Sequence, residues 1–406
     1  MRFARDIRGS LTPLFAIGAA LLIALIGAAF TLNQMGRNGG NLQDAVDGAA
    51  LNTAILLSRM PATTDGAASE YSSRYVRDNA DVGSTPTVDT AVINRSPIQV
   101  QVAASARQSV LFGSILGTET AVVGRRAVAQ VPLAEPLCML VLAPSLTAAL
   151  TSTGSARVQA PQCSGQVNST ASRAVQTGGG SSLHLRRLRV SGPAGGSVSV
   201  SPTPEYQAPP FTDPLASRIV WPAPASCQRG AIDLSGASQS LIPASDGALV
   251  ICGGISLSNG AVLTLAPGVY ILRTGDLRVR SNSALRGSNV TIVLLADDAL
   301  IDFGSGGEVT LSAPTSGPWA YVALAVKPQS RERMASMDGG AGFDLDGIVY
   351  LPTQRLRLTG GGALERPTSG NRVFAAYRLE LAGNGRIFLN ADAAALSMPG
   401  TAVLLR

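Results

Sequence analysis

The sequence predicts a mainly β protein carried on a single N-terminal helix. The expected parts are a transmembrane helix, a small α+β module and a C-terminal right-handed parallel β-helix, with a β-sandwich as the alternative fold. Three observations lead there. Leu11–Leu32 holds no charged residue. Residues 227–406 break into short β-prone runs separated by turn residues every 8–12 positions. The composition is rich in turn formers and poor in charge, with 44 Gly and 24 Pro against 14% charged residues. An apolar content of 46% excludes a disordered chain, and 406 residues suffice for two or three domains.

The first element is the uncharged run. Its 22 residues would make roughly 33 Å of helix, enough for a bilayer core. Arg2, Arg5 and Arg8 precede it with one opposing Asp6. That excess of arginine predicts a cytoplasmic N-terminus and a periplasmic or exported remainder. The run is longer than the apolar core of a cleaved signal, although "IGAAF" offers small residues near Ala29. Pro13 falls in the first turn, where its missing N–H costs little. Gly18 and Gly27 are nine apart and make no strict G-x-x-x-G contact motif.

Residues 1–33 are therefore read as head and span, and 34–60 as a helical extension. In the extension Leu42, Val46, Ala49, Ala50, Thr53 and Leu57 recur at intervals of three and four, with a weak point expected at Gly39–Gly40. Residues 61–130 form the expected anchor-proximal α+β module. Pro61–Thr87 reads as a polar loop, Ile98–Val102 and Thr118–Val123 as strands, and "SVLFGSIL" between them as a short helix. Residues 131–200 read as a first β segment. Residues 201–226 form a stiff crossing with seven prolines from Pro202 to Pro224, and 227–406 form the β-helix-like domain. Its short runs, such as "LTL", "LRV", "VTIVLL" and "LIDF", suit stacked coils better than the longer strands of a sandwich.

Cys138 and Cys163 are 25 apart, and so are Cys227 and Cys252. Four cysteines fit an oxidising compartment, and sequential pairing is the simplest of three connectivities. Zinc is disfavoured because there is no C-x-x-C and His184 is the only histidine.

The residues that could carry chemistry are few. Asp297, Asp298, Asp302, Glu308, Asp344 and Asp346 are the candidate acids for glycoside hydrolysis, and Arg355 and Arg357 the best same-face bases for a lyase. Adjacent acids on an outer strand face are more often simply solvated. "GGAGFDLDG" (Gly339–Gly347) matches one glycine-aspartate calcium turn, but such turns bind calcium only in stacked copies. "HLRRLRV" (His184–Val190) places Arg187 and Arg189 on one strand face and Arg186 on the other. This reads as a solvated face before an anion-binding one. No Walker lysine or nucleophile elbow is present, and a net charge of +6 without a basic tract does not imply nucleic acid. No catalytic, cofactor or metal residues are assigned.

The stretch "RGSLTPLFAIGAALLIALIGAAFTLNQMGRNGGNLQDAVDGAALNTA" resembles the N-terminus of TadE/TadG-like Flp (Tad) pilus-assembly proteins. The likeness lies in the basic head, the Gly-Ser before the helix and the small-residue tract from Leu42 to Leu51. "DPLA" (Asp213–Ala216), "CGGISL", "LAPGVYIL", "LSAPTSGP" and "GIVYLPTQRLRLTGG" resemble the β-helical part of Tad-associated proteins, without a von Willebrand-type domain. Pilin precursors cut after glycine carry glutamate at the fifth mature position. A cut after Gly9 would put Leu14 there, so a retained anchor is expected rather than a shaft subunit. The resemblance implies a non-enzymatic, single-pass inner-membrane protein of pilus assembly or pilus-associated attachment. Expected partners are pilin-like membrane proteins met through the N-terminal helix, and a surface glycan or protein ligand. The alternative is a carbohydrate-binding or polysaccharide-cleaving envelope protein.

Overall fold

The computed structural model describes residues 12–405 apart from 61, 96, 111–119, 133, 224, 305, 339–341, 360–369, 385 and 399–401. The chain forms two compact units, Met1–Ala134 with Pro399–Arg406, and Glu135–Met398.

In the first unit, helix α1 (Thr12–Arg59) runs unbroken through Gly39–Gly40. All six residues of the expected helical stripe, Leu42, Val46, Ala49, Ala50, Thr53 and Leu57, are buried. They pack with Val100, Val102, Ala127, Ala129 and Val131 of an antiparallel sheet. That sheet orders β1 (Thr87–Arg95), β2 (Ile98–Ser109), β3 (Thr120–Val131) and the terminal strand Val403–Leu405. Alanines on the helix allow close approach to the sheet, and the glycines serve contact rather than bending. Arg125 Nε donates to the Gly39 carbonyl at 3.1 Å. A Cβ on Gly48 would stand 2.8 Å from the Tyr75 hydroxyl.

Tyr75 belongs to helix α2 (Asp65–Asn79), which corrects the loop expected over Pro61–Thr87. Thr64 caps α2 by accepting from the Ala67 N–H, and only Ala68, Ser72 and Val76 are buried. With so small a buried stripe, the segment is too polar to read as amphipathic. Of the short helix expected at 109–116, residues 111–116 lie outside the described residues.

Among the described residues no helix is long and apolar enough to cross a membrane. Helix α1 carries most of the uncharged run, but the side chains of residues 11–17, 20, 21 and 24 lie outside the described residues. Those described include exposed Leu22, Ile23, Leu25, Ile26, Phe30 and Leu32.

The second unit is a parallel β-solenoid of about 10 turns. A representative coil has Ala248–Ile251 on face 1, Ile255–Ser258 on face 2 and Val262–Leu265 on face 3. Each strand pairs in parallel with its counterpart in the next coil, Gly268–Leu272, Leu277–Val279 and Ala284–Gly287. All three stacks are parallel, so the sandwich alternative does not describe this unit. Inward positions form ladders, one running Leu257, Val279, Phe303, Met337, Leu358, Leu381. Short strands suffice because their stability comes from stacking on neighbours rather than from length.

The winding order is not the order of the chain. Strand Glu135–Val141 lies beside Arg372–Ala382, and successive coils then wind outward to Glu205–Tyr206. The chain returns along the solenoid through the proline-rich crossing and restarts at Ile232–Ser235 at the opposite end. From there it winds coil by coil until Arg372–Ala382 meets Glu135–Val141 again. The structure therefore joins the expected first β segment and β-helix-like domain into one unit. It also assigns the last eight residues to the other unit.

The crossing explains a difference between faces. Face-1 strands Val290–Leu294 and Val322–Val326 are buried at every position, whereas face-2 strands alternate. A strand covered on both sides becomes a continuous apolar run. The crossing is fastened at several levels. Asn168 Nδ2 donates to the Phe211 carbonyl, and the Phe211 N–H donates to Asn168 Oδ1, both at 2.8 Å. Tyr350 donates its hydroxyl to Asp213 at 2.7 Å. Trp221 stacks on Tyr350 and meets Trp319 edge-on, each at 6.2 Å between ring centres. Arg273 donates to the Ala225 carbonyl at 3.0 Å.

Two disulfides, Cys138–Cys163 and Cys227–Cys252, span 25 residues each with Cα atoms 5.7 Å apart. Each ties one coil to the next: Cys227–Cys252 holds the terminal coil, which has a neighbour on one side only and where fraying is least opposed, and Cys138–Cys163 joins two coils inside the stack, the first of them the coil that meets Arg372–Ala382.

Candidate functional site

The acids that the sequence offers do not converge. Asp302 pairs with Arg280, and Glu308 pairs with Arg286 at 3.0 Å. Asp297 accepts the backbone N–H and hydroxyl of Ser330. These bonds, the hydroxyl's first, hold its carboxyl below the usual aspartate range. Asp298 is exposed on the same loop. Asp344 and Asp346 share face 3, and both hold the segment before Arg372–Ala382. Asp344 pairs with the buried Arg372 at 3.2 Å, and Asp346 accepts from the Asn371 N–H at 2.6 Å. Glycoside hydrolysis uses two carboxylates flanking one sugar, whereas Asp302, Glu308 and Asp344 are each engaged by an arginine, and Asp297 and Asp346 by backbone N–H groups.

Of the calcium-turn match, residues 339–341 lie outside the described residues, and Phe343–Gly347 lies in a strand. No group of three metal-ligating side chains occurs among the described residues. His184 points outward on face 3, between Gln159 and Ser201 of the adjoining coils. The three arginines of the basic run beside it are all engaged by two glutamates. Glu135 pairs with Arg187 at 3.4 Å and Arg186 at 3.9 Å, and Glu205 pairs with Arg187 at 3.1 Å and Arg189 at 3.9 Å. Arg186 and Arg187 sit at a corner between strands Ser182–Leu185 and Leu188–Val190, not within one strand as the alternation implied.

Face 2 presents an ordered polar surface instead. Its central outward row runs Asp233, Ser256, Arg278, Asp302, Ser336, Arg357, Glu380, Thr151, Gln176 in unbroken parallel register. Neighbouring members stand about 4.8 Å apart along the stack, the spacing of paired strands. Arginine concentrates where strands Met334–Asp338, Phe343–Thr359 and Arg372–Ala382 lie side by side. Met334, Arg355 and Arg378 occupy one column, with Arg357 in the next and Arg331 and Arg333 at the strand entry. Glu380 bridges Arg355 at 3.3 Å and Arg378 at 3.2 Å, and Glu332 lies 3.9 Å from Arg355. Sequence reasoning singled out Arg355 and Arg357 and missed Arg333, Arg378 and Glu380. The signal available was the near repetition of "RLRL" and "RLEL", which the fold places in register.

No family model, no curated protein and no solved structure matches the chain.

Proposed function

We propose that the protein is a non-enzymatic, membrane-anchored envelope component of Tad/Flp pilus assembly or pilus-associated surface attachment. The observation that carries the reading is one helix, α1, that leads from an uncharged apolar run into a packed α+β unit. The exposed Leu22, Ile23, Leu25, Ile26, Phe30 and Leu32 support it, because large apolar side chains left in water call for an apolar surround. The arginines before the run support a cytoplasmic N-terminus, with the solenoid on the far side of the inner membrane or exported to the cell surface. Two disulfides support an oxidising compartment. The dispersal of the acidic residues into ion pairs and loop contacts supports a binding role over catalysis. The link to the pilus rests on the N-terminal resemblance, and the helix would meet pilin-like membrane partners. Deletion of the gene is expected to remove piliation or surface attachment. Unchanged piliation together with unchanged attachment would sink the reading.

A further inference from the structure

We infer that two copies of the chain pair end to end through the terminal coil of the solenoid, edge to edge about a two-fold axis. The inference goes beyond the proposed function, and it requires neither membrane anchoring nor a pilus. Strands Ile232–Ser235 and Ser238–Leu241 each pair on one side only, with Ile255–Ser258 and Val262–Leu265. The bonds to that neighbouring coil use alternate residues. On the first strand, the Ile232 and Gly236 N–H groups donate to the Gly254 and Ser258 carbonyls. On the second, the Ala237 and Leu241 carbonyls accept from the Val262 and Ala266 N–H groups. The backbone groups of Asp233, Ser235, Ser238 and Ser240 therefore face off the end of the stack, where they meet no partner among the described residues. Proteins commonly blunt such an edge with proline, lysine or a bulge. Residues 230–242 contain no proline or lysine, and Ile242 stands 75% exposed beside the edge. The far end of the stack is blunted: Val200–Ser201 and Glu205–Tyr206 are two residues long, with Pro202 and Pro204 between them.

The occupant is a second copy because the two open edges meet at the corner Gly236–Ala237. One extended peptide can pair with one edge, whereas another coil end of the same cross-section can pair with both. The proline-blunted far end cannot supply that match, which leaves the same end of a second chain. A two-fold axis through the corner lays each strand antiparallel on the other strand of its partner, the self-complementary contact of a closed dimer. Asp233 then opposes the partner's Ser240, and Ser235 opposes the partner's Ser238. These are the residues whose backbone groups are open, so each opposed pair exchanges both bonds. The same register sets Ile232 against the partner's Leu241 and Leu234 against the partner's Gln239, so inward side chains meet inward ones. A slip of one residue would lose both matches together. No carboxylate faces another, since Asp233 meets a hydroxyl.

The test mixes two variants of the full chain in mild detergent, Asp233→Cys and Ser240→Cys, under mild oxidation. Disulfide-linked dimer is read on a non-reducing gel. The mixture should link about tenfold more than either variant alone, because pairing holds each new thiol opposite the other and not opposite itself. The control mixes Asp233→Cys with Thr310→Cys, an exposed position on the same outward row as Ser240 but well inside the stack. It should link no better than its components. Ser238→Pro, added to the Ser240→Cys chain, should cut the link about tenfold, since the ring removes an edge N–H and blocks the approach. That loss is read on protein whose circular dichroism matches the parent's. The inference is overturned by any of three results: a mixture that links no better than its components, a Thr310 control that links as well, or a link that survives the proline. Association through α1 would bring chains together without favouring this pair over the control, so these outcomes stand apart from failure of the anchoring or pilus reading.

Discussion

At the scale of single residues, the solenoid depends on a few side chains that no short window of sequence marks as special. Phe303 sits midway along an inward ladder and touches Phe343 at 5.6 Å between ring centres. Phe303→Ala should cost about 3–5 kcal/mol, because a fully buried ring leaves a cavity that stacked coils cannot close; chemical denaturation would measure it. Tyr270 is buried, its hydroxyl within hydrogen-bonding distance of the Leu241 and Ala266 carbonyls at 2.9 and 2.8 Å. Burial raises its pKa to about 12. The unfolded chain loses this proton near the ordinary value of about 10, and the folded one holds it longer. The stability it contributes is thus full below pH 10 and lost as pH rises towards 12. Tyr270→Phe should make unfolding less dependent on pH across that window. An unchanged slope would remove Tyr270 from the account. The arginines of face 2 were only half legible. Arg355 and Arg357 stand two apart in one run, but Arg378 joins them only through a parallel register that links residues 23 positions apart.

At the scale of elements, α1 was legible because its buried stripe follows helical spacing, whereas α2 was not because its stripe is two alanine-sized contacts and a valine. The disulfide pairs were legible from equal separations, and the coil geometry accounts for them: about 25 residues bring the chain round one turn. The crossing was legible as a stiff segment but not as a cover. Its role is written in the strands it protects, whose unbroken apolar runs contrast with the alternation of face 2. Trp221→Ala removes both ring contacts that fasten it. The expected result is a loss of about 3 kcal/mol or more, with faster amide exchange in Val290–Leu294 and Val322–Val326 beneath the crossing. Protection unchanged in those strands would mean that the crossing lies loosely on the face.

At the scale of the whole molecule, the coil style of the sequence pointed to a β-helix, and the three parallel stacks bear out that fold class. The order of winding was not readable. Residues 137–206 and 229–388 share the same short-strand pattern, and pattern alone says nothing about which coil stacks on which. The late contact between Glu135–Val141 and Arg372–Ala382 is a long-range pairing, closed only once the intervening coils have formed. The return of Val403–Leu405 to β3 was equally silent, since a three-residue strand carries no pattern. The function proposed for this assembly depends on the apolar end of α1 acting as an anchor. Membrane fractionation of the full chain, beside a variant with Leu22→Asp and Ile26→Asp, tests that claim most directly. Each aspartate at the centre of a span costs about 2.5–3.5 kcal/mol. The account predicts that the parent chain stays with the inner membrane after carbonate extraction and that the variant is released. A parent chain found wholly in the soluble fraction, with its N-terminus intact, would contradict it.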